Sequence, residues 1–283
     1  MRHYYWGKSL ISLGVILASM PVVHIVAKIL KDNYNGEQLL GAGMALGFVG
    51  MVMVIAGVFV KGDTRQTLLG LIGGMFFWTG WVDFLFMYYA HRWGANPELD
   101  PVTGELLSRP EYLLLSSTFG LWAMVMLLYI FCSRNGCNFL NWWQSRLLGS
   151  KKREIAARPM TRHTSMVTFM EINTMLWTCY LLLMFCYDPQ FLGRESPVTF
   201  GVAFGALICS PFVFKKQLRL KAWGANIRMA TATVIVFWIA VEAFNRTGII
   251  AKIIDSPASY PWHFVVMGIE LVALVVYLVR NRK

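Results

Sequence analysis

Ionisable side chains inside long apolar runs are the residues of this sequence that could do chemistry. Asp83, Glu171, Glu242 and Glu270 each interrupt such a run. A charged side chain at the centre of a bilayer costs about 2.5–3.5 kcal/mol on insertion scales, so each carboxylate there needs a function or a partner. Glu171 falls close to one membrane surface and is interpreted as hydrated, which leaves the other three as candidates for a site.

Three histidines accompany these carboxylates. His24 lies in the outer third of the first apolar run, His91 ends the third run, and His263 begins the last one. Asp83 and His91 are eight residues apart, and His263 and Glu270 are seven apart, so each pair shares one face of a helix. The histidines and up to three carboxylates are therefore predicted to converge, at least in depth, on one leaflet.

Imidazole nitrogens and carboxylate oxygens held in a wall of low dielectric constant are typical ligands of a transition metal. The first hypothesis is therefore a metal-binding or redox membrane protein, such as a subunit of a membrane oxidoreductase. It takes copper, iron or zinc as the metal, and a haem b between two histidines is less favoured. No spacing matches HExxH or another metal motif. The predicted ligands are Asp83, Glu242, His24, His91 and His263, with Glu270 as the catalytic proton acceptor.

The same residues support two other hypotheses. A buried carboxylate and a histidine can relay protons, so Asp83 and Glu242 could serve a transporter coupled to a cation or a proton. Alternatively the acids are structural, since Arg246 follows Glu242 by four residues and could pair with it. The chain would then be a structural or assembly subunit of a membrane complex. The sequence leaves all three hypotheses open, and with them the question of whether the protein is an enzyme.

Composition determines the class of protein that must position these residues. The chain has 283 residues, of which 57% are hydrophobic and only 14% charged, with a mean hydropathy of +0.52. Soluble domains carry nearer 25% charged residues, so a soluble globular fold is excluded. The net charge of +11 comes from basic residues placed between apolar runs, which indicates membrane topology and predicts no nucleic-acid partner.

Hydropathy predicts an all-α integral membrane protein with eight transmembrane helices. With the termini and the loops after even-numbered spans on one side, 19 of the 26 Lys and Arg residues lie there. The positive-inside rule therefore places both termini in the cytoplasm. We expect a multi-pass protein of a cell membrane, a bacterial inner membrane, in contact with lipid and with other membrane subunits or a second copy. The predicted spans are 9–30, 38–60, 67–91, 112–132, 167–187, 197–214, 229–248 and 261–279.

Residues 1–283 read as a single polytopic membrane domain that contains an internal duplication. The predicted halves are 1–132 and 167–283, joined by a basic cytoplasmic loop, 133–166, whose beginning resembles an interfacial helix. Such a duplication is a parallel 4+4 repeat, in which Asp83 and Glu242 are equivalent. The matching pairs include Gly43 and Gly47 with Gly201 and Gly205, Phe77-Trp78 with Phe237-Trp238, and Val82-Asp83 with Val241-Glu242.

The cysteines predict no disulfide framework. Their number, five, is odd, no two of them form a CxxC pair, and three lie inside apolar runs. We therefore expect reduced thiols that act as small hydrophobic side chains.

Overall fold

A computed structural model describes residues 4–34, 36–99, 106–108, 114–131, 137–149, 152, 163–188, 190–193 and 196–246. These residues form helices, apart from one short antiparallel hairpin. The helices are α1 (Trp6–Asn33), α2 (Gly36–Phe59), α3 (Asp63–Phe77), α4 (Phe84–Arg92), α5 (Phe119–Phe131), α6 (Asn138–Leu147), α7 (Thr164–Tyr187), α8 (Pro197–Gln217) and α9 (Trp223–Arg246). The hairpin strands are β1 (Glu98–Leu99) and β2 (Leu106–Ser108).

Six helical segments in the described part of the chain are long and apolar enough to cross a membrane. They are Gly36–Phe59, Asp63–Arg92, Leu114–Phe131, Thr164–Tyr187, Pro197–Gln217 and Trp223–Phe244. They confirm the predicted spans two to seven within a few residues. The first predicted span, 9–30, falls within α1, and the eighth, 261–279, lies outside the described residues. The sidedness of the termini and the choice of membrane remain predictions.

The chain divides into two compact units. The central unit comprises residues 21–185, and the second, which we call the terminal unit, comprises residues 1–20 and 186–283. The central unit contains the hairpin of α2 with α3 and α4, together with nearly all of α7. The terminal unit contains the hairpin of α8 with α9, together with the first part of α1. Each unit therefore combines a hairpin with a long helix from the other half of the sequence.

Glycines hold the helices of the central unit in close contact. A Cβ atom on Gly50 would lie 2.5 Å from the carbonyl oxygen of Gly73 on α3, so only glycine allows these backbones to approach. Gly57 and Gly70 leave room in the same way for Ser165, whose hydroxyl donates a 2.8 Å hydrogen bond to a carbonyl of α2. The small residues of spans two and three thus act as packing surfaces.

Two reciprocal hydrogen bonds connect the fourth predicted span to α7. The indole of Trp122 donates to the hydroxyl of Thr178 at 3.1 Å, and the indole of Trp177 donates to the hydroxyl of Thr118 at 2.8 Å. In an apolar environment an unpaired indole N–H or hydroxyl would be costly, so each tryptophan is matched to a threonine on the neighbouring helix.

Helix α6 forms where the sequence predicts an interfacial helix. Cys137 and Leu140 are buried against α5, and the side chain of Gln144 donates a 3.0 Å hydrogen bond to the carbonyl of Ile130. The opposite face carries two exposed tryptophans, Trp142 and Trp143. The helix is therefore fixed to the protein on one side and presents aromatic rings on the other, as helices at a membrane surface do.

No disulfide joins the described cysteines. Cys137, Cys179, Cys186 and Cys209 are all free. The fifth cysteine, Cys132, lies outside the described residues.

Candidate functional site

Asp83 ends a π-helical turn in the middle of the third span. The turn, Trp78–Asp83, interrupts a helix that otherwise runs from Asp63 to Arg92. At its end the backbone N–H of Phe84 donates to the carbonyl of Thr79, five residues earlier. Single π-helical turns are rare and occur frequently at functional sites. This turn was not predicted from the sequence, and it singles out Asp83 among the intramembrane carboxylates of the described residues.

Close packing against α2 holds the π-helical turn in place. A Cβ on Gly80 would lie 2.4 Å from the backbone nitrogen of Gly47 and 2.5 Å from the carbonyl oxygen of Gly43. The indole N–H of Trp81 donates a 3.1 Å hydrogen bond to the carbonyl of Met44. The ring of Trp81 covers Gly47, where a Cβ would lie only 2.1 Å from the indole. The contacts of Gly80 and Trp81 with α2 therefore hold the backbone just before Asp83 in place.

Aromatic side chains surround the beginning of the π-helical turn. Trp78 stacks on Tyr180 of α7 with ring centroids 5.6 Å apart, and Phe77 contacts both Phe169 and Trp81 at 5.1 Å. Asp83 itself is half-buried. The carboxylate of Asp83 therefore belongs to a residue that comes directly after a cluster of aromatic side chains. A charge or a polar ligand beside this cluster would be poorly hydrated.

Glu242 occupies a regular α-helix. It lies near the end of α9, is half-buried, and follows the buried Ala240. Its neighbour Phe244 packs against Phe204 of α8 with ring centroids 5.1 Å apart. Glu242 and Asp83 each interact with another group, so either could have a structural role, and the contacts alone do not assign one.

The two hairpins that carry these carboxylates begin in the same way. The fourth residue of α3 is Gln66, and the fourth residue of α9 is Asn226. Gln66 accepts a hydrogen bond from the backbone N–H of Thr164, at the start of α7, and donates one to Val60 in its own hairpin loop. Asn226 donates to Ser9, near the start of α1, and to two carbonyls around its own hairpin loop. In each unit an amide therefore joins a hairpin loop to the beginning of a long helix.

The two long helices carry similar buried residues at the same spacing. Ser9, Ser12 and Ile16 of α1 are at most 2% exposed, and they are spaced by three and four residues. Ser165, Thr168 and Ile172 of α7 have the same spacing and the same degree of burial. Asp32 and Asp188 continue this alignment without a gap. Sequence reasoning missed the match because serine and threonine at the ends of apolar runs carry little signal until their burial is known.

The predicted metal ligands are only partly described. His91 is exposed near the end of α4, two helical turns beyond Asp83. His24 lies in α1, but its side chain is outside the described set, as are all of His263 and Glu270. Among the side chains that are described, no three His, Cys, Asp or Glu residues come together as a metal site would require. The five-ligand metal site remains a prediction.

Glu171 differs from its sequence-based interpretation. It was expected to be hydrated, but only 7% of the residue is exposed, and it interacts with another group. Its charge also acts on Cys137 at the start of α6, which is 2% exposed. Burial, and secondly the negative Glu171, raise the pKa of the Cys137 thiol to about 12. The charge of Glu171 therefore reaches the start of α6, which the sequence of α7 alone does not predict.

The thiol of Cys137 should therefore be chemically quiet. In a variant that keeps only this cysteine, we expect maleimide at pH 8 to react at least about 100-fold more slowly than with Ser145→Cys, an exposed control on the same helix. The thiolate is the reactive form, so the control rate should level off above its ordinary pKa, near 9, while the Cys137 rate continues to rise towards pH 12. Equal rates at pH 8 would contradict the buried position of this thiol.

Comparison of the chain with protein-family models, with curated proteins and with solved structures gave no match.

Proposed function

We propose that the protein is a membrane transporter, coupled to a cation or a proton, in which Asp83 and Glu242 are equivalent carboxylates of two parallel repeats. Each repeat contributes a long first helix and a hairpin, and the carboxylate lies on the second arm of the hairpin. Duplicated helical halves of this kind are common among secondary transporters, which bind coupling ions near the middle of the membrane. The two acids lie within apolar spans, where an ionisable side chain is costly unless it has a function such as binding a cation or a proton.

The observation that carries the proposal is that Asp83 and Glu242 lie at matching positions in two similarly built hairpins. Asp83 follows the half-buried amide of Gln66 by 17 residues, and Glu242 follows the buried amide of Asn226 by 16. Both amides join a hairpin loop to the beginning of a long helix. Each hairpin therefore carries a carboxylate at a similar distance from an amide with the same role, and a structural need of a single helix would not explain both. This supports a shared role in binding a cation or a proton.

Flux through reconstituted protein tests the proposal. Purified protein in liposomes should move protons or alkali cations down an imposed gradient faster than protein-free liposomes. Asp83→Asn and Glu242→Gln should each lower that flux by at least about tenfold, because neither amide side chain can exchange a proton or neutralise a cation. The matched control is Glu37→Gln, at the exposed start of α2, which should stay within about twofold of wild type.

Two results would contradict the transporter. One is flux no faster than in protein-free liposomes under proton, sodium and potassium gradients. The other is unchanged flux in both neutral variants. If Asp83→Asn lowered only the stability of the protein, the carboxylates would be structural and the chain would fit a structural or assembly subunit.

The metal or redox hypothesis is the second candidate, because the sequence places His24, His91 and His263 at the same predicted depth as Asp83 and Glu242. Copper, iron or zinc bound by these residues would supply electron transfer or Lewis acidity, with Glu270 accepting a proton. It predicts about one equivalent of metal in detergent-purified protein by mass spectrometry, and loss of that metal in Asp83→Asn with Glu242→Gln. Metal at background level, in buffers free of chelators, would reject it.

A further inference from the structure

The second arms of the two hairpins differ by one residue between the amide and the carboxylate, and the difference falls at a defined place. Gln66 precedes Trp78 by 12 residues, and Asn226 precedes Trp238 by 12. From these tryptophans to the carboxylates the counts differ, since the first segment reads Trp-Thr-Gly-Trp-Val-Asp and the second Trp-Ile-Ala-Val-Glu. The first repeat therefore contains one additional residue between its tryptophan and its carboxylate.

The π-helical turn occupies the same segment, Trp78–Asp83. An α-helical hydrogen bond spans four residues and a π-helical one spans five, so a π-helical turn accommodates one more residue for the same advance along the helix. The matching segment of α9 is α-helical from Trp223 to Arg246. The repeat with the additional residue has the wider turn, and the repeat without it has none.

We infer that Trp81 is a one-residue insertion in the first repeat, and that the π-helical turn absorbs it so that Asp83 keeps the helical position that Glu242 has in the second. This inference rests on the proposed repeat and explains how its two carboxylates stay equivalent. The alignment pairs Thr79-Gly80 with Ile239-Ala240 and Val82-Asp83 with Val241-Glu242, which leaves Trp81 without a counterpart.

The wider turn preserves the contact between Phe84 and Gly43 and the helix face on which Asp83 lies. An additional residue in an α-helix rotates everything after it by about 100° and advances it by about 1.5 Å. Such a rotation would move Phe84, which is 1% exposed, away from Gly43, where an added Cβ would lie 2.8 Å from the Phe84 Cβ. It would also turn Asp83 to another face of the helix. The π-helical turn avoids both changes.

The inserted residue itself strengthens the first hairpin. Trp81 donates to the carbonyl of Met44 and covers Gly47. In the second repeat the residue matching Gly47 is Gly205, and no described atom lies within 4 Å of where its Cβ would be. The insertion therefore adds a contact between the two arms of the first hairpin, at the level of its carboxylate.

Deletion of Trp81 tests the inference directly. In a background without cysteines, Gly43→Cys and Phe84→Cys should form a disulfide under mild oxidation. Phe84→Cys removes the ring that packs on Gly43, and a shift of about 1 Å takes the two Cβ atoms from 2.8 Å to the separation of about 3.5–4.5 Å that a disulfide needs. If the π-helical turn absorbs an insertion, the helix without Trp81 becomes a continuous α-helix, and the same pair still forms the disulfide at half of the wild-type yield or more. A monodisperse deletion variant that loses the disulfide would overturn the inference.

Deletion of Ala240 is the matched control, because α9 has no wider turn to lose. We expect it to lower the yield of monodisperse protein by at least about tenfold, whereas deletion of Trp81 lowers it by less than about threefold. Equal losses for the two deletions would overturn the inference. This comparison needs no disulfide and no activity.

A swap of neighbouring residues separates the inference from the proposed function. Val82→Asp combined with Asp83→Val moves the carboxylate by about 100° and should reduce flux as far as Asp83→Asn does, while deletion of Trp81 retains at least a third of the flux. A retained disulfide without any wild-type flux would reject the transporter alone. A lost disulfide with flux that still depends on Asp83 would reject the insertion alone.

Discussion

Replacement of Asn226 by alanine should lower the free energy of unfolding by about 3 kcal/mol. Asn226 is fully buried, and its amide nitrogen donates to the hydroxyl of Ser9 and to the carbonyls of Gln217 and Leu220, while its oxygen accepts from the Gln217 amide. Each hydrogen bond is worth about 1 kcal/mol, and partners left buried without a bond add a further penalty. The variant therefore loosens the contact between α1 and the second hairpin.

Unfolding by titration with dodecyl sulfate, followed by circular dichroism, measures this loss. Ser145→Ala is a suitable control, because Ser145 is exposed and donates a single hydrogen bond within α6. We expect that control to stay within about 0.5 kcal/mol of wild type. A loss of less than 1 kcal/mol in Asn226→Ala would show that the network is not a main attachment of α1.

A single methyl group at Gly80 should be comparably damaging. In Gly80→Ala the new Cβ would meet the backbone of Gly43 and Gly47 at 2.4–2.5 Å, and backbone atoms cannot rotate away as a flexible side chain can. The helices must move apart, which also stretches the hydrogen bond of Trp81 to Met44. We expect a loss of about 3 kcal/mol, at the upper end of the range for overpacked cores.

The matched control for this variant is Gly41→Ala. Gly41 lies on α2, six residues before Gly47, and no described atom lies within 4 Å of its added Cβ. Alanine favours a helix over glycine by up to about 1 kcal/mol, so this variant should be neutral or stabilised. Similar losses at Gly41 and Gly80 would mean that helix flexibility, and not close packing, sets the requirement for glycine.

The sequence predicted the spans well because hydropathy depends on few variables. In the bilayer core the backbone N–H and C=O groups of an apolar run of about 20 residues can bond only to one another, which requires a helix. Spans two to seven therefore appear at the expected positions. The same reasoning failed for Glu171, since distance from the surface does not determine burial. Helix α6 packs beside the spans and contributes to a local environment that no single span encodes.

The site was predicted only in part, for a related reason. Asp83 and Glu242 were evident as charges in apolar runs, but the π-helical turn was not, because one inserted residue leaves hydropathy unchanged. The hydrogen bonds of Gln66 and Asn226 to the long helices were also missed. Both lie close to span ends, where polar residues are ordinary, and only the packing of α7 and α1 distinguishes them from exposed neighbours.

The exchange of long helices between the two halves sets an order of assembly during synthesis. Ser9 is made 217 residues before its partner Asn226. At about 5–20 residues per second this separation corresponds to roughly 10–40 s. During that time the first helix resides in the membrane without its hairpin, and the terminal unit cannot close. Its folding is therefore a late, non-local step, and the nascent chain depends on the lipid and the insertion machinery to keep α1 from pairing elsewhere.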